Sequence, residues 1–169
     1  CPGSARTTAN LTNVTSTSTT YVDSSSVSGW YINLSTNTLT RPDSTTITSP
    51  VGEKMISDPT VFGGVVYFTT HVPDQGTGTA CGEAGDAFLY ALKFTCGSGA
   101  LSEGARTKYV GHGIGSAAVM SMRAGSSGVT DIYATASGGA GTSALTQKLG
   151  TAPSTASMTN ILYWRDRRL

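Results

Sequence analysis

The chain has 169 residues, enough for one domain and too few for two well-formed ones. A formal net charge of +1, with 12% charged residues, offers no field to gather nucleic acid or an anionic membrane. With 21 glycines and Ser/Thr in nearly every segment, nothing reads as a long helix, and no apolar run approaches the roughly 18 to 20 residues of a membrane-spanning one.

Residues 1–28 are dominated by Thr, Ser and Asn, with isolated Leu11, Val14, Tyr21, Val22 and Val27. Such a stretch buries little by itself, so it reads as an extended arm laid on a neighbour or a flexible lead-in. Cys1-Pro2-Gly3-Ser4 lacks the charged and apolar regions of a signal peptide, so the expected chain is a mature protein or a piece of a larger one. Asn10, Asn13 and Asn33 each begin an N-glycosylation tripeptide, a pattern frequent by chance in Ser/Thr-rich sequence.

Gly29 to Leu34 predicts the first strand, followed by a polar loop to Pro50 with a turn at Pro42-Asp43-Ser44. A second strand is expected over Glu53 to Ser57. Next comes a unit shaped like a propeller blade, with a short strand at Thr60 to Phe62 and a longer one at Val65 to His71. A long loop, Val72 to Ala87, leads to strands at Phe88 to Phe94 and near Thr107 to Val110. Val65, Tyr67 and Thr69 point one way and Val66 and Phe68 the other, so both faces need cover. A degenerate copy follows, with strands over Gly115 to Met122 and Val129 to Ala136, a turn at Ala124 to Gly128, and a final strand at Ile161 to Arg165.

The expected fold is therefore all-β, with residues 29–169 as one domain of partial blades 29–57, 58–110 and 115–169. Two to three antiparallel blades are too few for a closed propeller of 4 to 8. The chain either packs as a small sandwich or has its open edges met by other copies, another protein or a missing N-terminal portion.

Candidate chemistry is sparse. Cys81 and Cys96 bracket the strand Phe88 to Phe94, and a disulfide between them would close a loop of about 16 residues, stabilising by roughly 3 kcal/mol. That would suit an exported protein. Two buried thiols are the alternative, with Cys1 left over. Asp74, Glu83 and Asp86 share the long loop and are the candidate calcium ligands, although their spacing fits no familiar cage and solvated loop charges are the default reading. His71 reads as a hydrogen-bonded structural residue and His112 as part of a glycine turn. There is no Gly-x-Ser-x-Gly elbow, His-Glu-x-x-His pair or Cys-x-x-Cys, and the chain is expected not to be an enzyme. Arg165, Arg167 and Arg168 read as a solvated tail rather than a phosphate site.

Several of these residues, in order, are similar to the C-terminal propeller of the PilY family, large proteins associated with the tip of bacterial type IV pili. They are Gly29-Trp30-Tyr31-Ile32-Asn33-Leu34, Gly52-Glu53-Lys54-Met55-Ile56, and the run from Asp58-Pro59-Thr60-Val61-Phe62-Gly63-Gly64 to Thr70. The cysteine-glycine loop Cys81 to Gly85, Leu89-Tyr90-Ala91-Leu92 and Tyr163-Trp164-Arg165 continue the match. The resemblance implies an exported, pilus-associated protein, extracellular or on the cell surface, that assists pilus assembly, retraction control or attachment by contact with pilins or minor pilins. The family's N-terminal adhesive region and its Asp-x-Asp-x-Asp-Gly calcium loop have no counterpart here, so calcium dependence does not carry over. Two rival readings are a structural or decorating subunit of an extracellular filament, with residues 4–28 crossing to a neighbour, and the remnant of a quinoprotein-like or glycan-active propeller enzyme.

Overall fold

The computed structural model describes residues 7–16, 19–22, 29–74, 85–122, 130–138 and 145–152. Among them the regular structure is β, interrupted only by single 3-10 turns, and the antiparallel sheets stay open. In chain order the strands are β1 (Thr12–Asn13), β2 (Trp30–Tyr31), β3 (Thr38–Thr40), β4 (Thr46–Thr48), β5 (Lys54–Met55) and β6 (Thr60–Phe62). They continue with β7 (Val65–Val72), β8 (Asp86–Lys93), β9 (Thr107–His112), β10 (Val119–Met122), β11 (Thr130–Ala136) and β12 (Leu145–Ala152).

The central sheet runs β5-β7-β8-β9, with β6 sharing the β7 edge with β5. Gly63 and Gly64 lie at φ 57° and 80°, the doubly positive geometry that a two-residue hairpin needs, and they set Phe62 opposite Val65. Strands β7 and β8 pair along their full length, from Val65 with Lys93 to Val72 with Asp86. Only Lys93 of β8 escapes burial, because that strand has neighbours on both edges and both faces.

Side-chain alternation divides the core in two. On one face Val65, Tyr67, Ala87, Leu89, Ala91 and Val110 pack against Ala118, Ile132, Ala134 and Ala136 of the segment carrying β10 and β11. On the other, Phe68, Val72, Phe88, Tyr90 and Leu92 pack against Leu39 and Ile47, with Trp30, Ile32 and Leu34 at the margin. Phe68 stacks on Tyr90, with ring centroids 4.9 Å apart. Each face of the central sheet is thus covered by the chain's own flanking layers, and the cover expected from outside is not required for it.

Three expectations shift. The polar stretch to Pro50 holds the antiparallel hairpin β3-β4, whose Thr side chains face out while Leu39 and Ile47 face in. The first strand shrinks to Trp30–Tyr31, because Asn33 accepts from the Ser35 amide and opens a 3-10 turn at Leu34. Strand β12, within a Gly/Ser/Ala-rich stretch, pairs with β11 from Leu145 to Ala152. The turn at Ala124 to Gly128 and the strand at Ile161 to Arg165 lie outside the described residues.

Candidate functional site

Asp86 was expected on a solvated loop, but it opens β8 and is buried. Its Oδ2 accepts from Arg41 Nε at 2.8 Å and lies 2.6 Å from Arg41 Nη2. Its Oδ1 is 3.1 Å from His112 Nδ1, without the alignment of a hydrogen bond. The carboxylate therefore faces a guanidinium and an imidazole, which corrects its reading as a solvated loop charge. Asp74 is exposed just beyond β7, and Glu83 lies outside the described residues. Among the described residues no group of three or more His, Cys, Asp or Glu is placed to hold a metal.

His112 ends β9 instead of occupying a turn, and its half-exposed ring meets Tyr109 edge-on at 5.9 Å. Burial, helped by the Asp86 charge, pushes the Tyr109 hydroxyl up to about 12. The cluster joins three elements: Arg41 from the β3-β4 turn, Asp86 from β8, and Tyr109 with His112 from β9. Among the described residues no hydroxyl or thiol is hydrogen-bonded to His112. The Arg41 guanidinium balances the buried Asp86 carboxylate at the end of the central sheet.

A second polar group lies inside the apolar layer. Glu53 Oε1 accepts from Thr70 Oγ1 at 2.7 Å and from the Tyr90 hydroxyl at 2.8 Å, and Tyr90 in turn accepts from Asn37 Nδ2 at 2.8 Å. Burial raises the Glu53 carboxyl above its ordinary range, opposed by those two donors. The same burial, with Glu53 adjacent, raises the Tyr90 hydroxyl strongly. Glu53 Oε2 has no hydrogen-bond partner.

His71 Nδ1 is 3.0 Å from the Gly113 carbonyl, which ties β7 to the segment after β9. Cys96 carries a free thiol 3.1 Å from Ser98 Oγ, and hydrogen bonding to Ser98 lowers its pKa. Cys81, its expected disulfide partner, lies outside the described residues, as does Cys1.

The surface most suited to contact is made of strand edges. Thr60 Oγ1 of β6 donates to the Ala118 carbonyl at 3.2 Å, and Thr69 Oγ1 of β7 to that of Ser116 at 2.7 Å, so the start of β6 lies beside the residue that leads into β10. Strands β6 and β10 are each the outer strand of a sheet. Neither contains a charged residue, and Val61 (64% exposed) and Val119 (60%) stand open to solvent there. The opposite edge, β9, carries Lys108, the kind of charge that blunts unwanted strand pairing. Sequence reading named no contact residue; the lack of charge in Thr60-Val61-Phe62 and Val119-Met120-Ser121-Met122 was the available signal.

No family model, curated protein or solved structure matches the chain.

Proposed function

We propose that this chain is a non-enzymatic, extracellular component of a type IV pilus system, similar to the C-terminal blades of PilY proteins, that acts by protein-protein contact in pilus assembly or adhesion. The observation that carries this reading is the uncharged double edge of β6 and β10 with Val61 and Val119 exposed. A bare edge offers main-chain donors and acceptors in the pattern of an added strand, and the flanking apolar side chains supply affinity. The hairpin, the central sheet and the β10-β11-β12 sheet are read as successive propeller-like blades stacked face to face, completed by another chain in the assembly. The sequence resemblance directs the choice of partner to pilins and minor pilins.

The test is binding of the purified chain to purified pilins and minor pilins by surface plasmon resonance. The expected result is saturable binding to at least one of them, lost when Val61→Lys and Val119→Lys place charge on the edge without disturbing the core. A folded chain that ignores every pilin contradicts the reading.

A second reading, a building block of an extracellular filament, is favoured by one specific observation: the N-terminal segment docks as an extended peptide. Thr12 and Val14 donate to the Gly29 and Tyr31 carbonyls, each at 2.9 Å.

A further inference from the structure

We infer that the cleft between Trp30 and the turn of residues 93–106 is a binding site for an extended peptide, filled within one chain by Thr12–Ser16 and Thr19–Tyr21, and that it also accepts these residues from a second copy. Arg106 forms its floor. That side chain is 3% exposed, and it donates from Nε to the Gly97 carbonyl at 2.9 Å and from Nη1 to that of Val14 at 2.5 Å. It also donates to the carbonyls of Ser16 and Thr19. All four acceptors are neutral main-chain oxygens, so the guanidinium reads the path of a backbone rather than a side-chain charge.

The remaining contacts have the same character. The amides of Thr12, Val14 and Tyr21 donate to Gly29, Tyr31 and Cys96 at 2.9, 2.9 and 2.8 Å, and β1 pairs in parallel with β2. Two side chains hold the segment: Val14 is fully buried, and Thr15 Oγ1 accepts from the Asn33 amide at 2.8 Å. Gly97 makes room for Val14, since a Cβ there would come 2.8 Å from Val14 Cγ2 and 3.0 Å from Trp30 Cδ2, at a φ of +66° that disfavours any side chain.

This is a complete receptor-and-ligand arrangement joined by a tether. Every interaction in it is non-covalent and would form identically with another copy's segment, which is the condition for exchanging an element between protomers. Seven residues separate Val22 from Trp30. So short a tether holds the segment at an effective concentration on the order of millimolar, and docking within one chain prevails in dilute solution. Shortening the tether removes that advantage. The inference is independent of the pilus reading, since it concerns only copies of this chain.

The experiment has two arms, both on the full chain without pilus components. In the first, light scattering after size exclusion gives the mass of the native chain and of a variant lacking Ser24 to Val27. The native chain is expected at 17.3 kDa when dilute and the variant at twice its own monomer mass. In the second, a fluorescent peptide of residues 7–22 is titrated with the full chain carrying Val14→Asp, whose own segment is thereby loosened from the cleft, and it is expected to bind, with Val14→Asp in the peptide weakening binding by at least about tenfold. The peptide arm decides if the shortened variant does not fold. A folded variant that remains monomeric, or a peptide that fails to bind or binds equally with Val14→Asp, overturns the inference.

Discussion

Tyr90 shows how much a single side chain holds together. Its ring stacks on Phe68, and its hydroxyl donates to Glu53 while accepting from Asn37. Tyr90→Phe keeps the stack but leaves Asn37 without that acceptor and Glu53 with one donor fewer. It should cost about 1–3 kcal/mol in urea denaturation. Glu53 makes stability depend on pH in a defined direction. Its folded pKa lies above the unfolded value, so its stabilising share is complete below the unfolded carboxylate pKa and is lost as pH rises through the raised folded value. Glu53→Gln should flatten that decline between mildly acidic and neutral pH, and equal slopes for both proteins would refute this. None of this network was legible in the sequence, because Asn37, Glu53, Thr70 and Tyr90 come from four separate segments and only folding brings them together. Asp86 was misplaced for the same reason: its cation, Arg41, lies 45 residues earlier.

At the scale of elements, the sequence was most informative where strand formers run on without interruption. Strands β6 to β9 fall within a few residues of expectation, because Val65 to Phe68 and Ala87 to Leu92 are apolar runs and Gly63-Gly64 marks the hairpin. The hairpin β3-β4 was not legible. Each of its strands has three residues with one apolar position, and the outward threonines make it read as polar loop. Yet Leu39 is fully buried against the central sheet. Leu39→Ala should destabilise by about 2–5 kcal/mol, as a core truncation, rather than by the few tenths expected of a loop position. The uncharged edge was half legible, in that its lack of charge is a sequence property while the approach of Thr60 to Ala118 is not.

Among the described residues three β layers stack, and the β7-β8 pair at the centre is packed on both faces by the flanking ones. The sequence correctly indicated that this sheet is apolar on both sides; it did not reveal that the preceding hairpin and the following strands are its covers. On the proposed reading a partner would therefore add at the edges of the stack, where Val61 and Val119 stand, and not at the core. The direct test is amide hydrogen exchange on the chain in dilute monomeric solution. If the chain covers its own central sheet, the β8 amides, with those of β7 that bond to it, exchange only through global unfolding and are the slowest in the protein. Rapid exchange along β8 in the monomer, slowed only when a partner is added, would contradict the account.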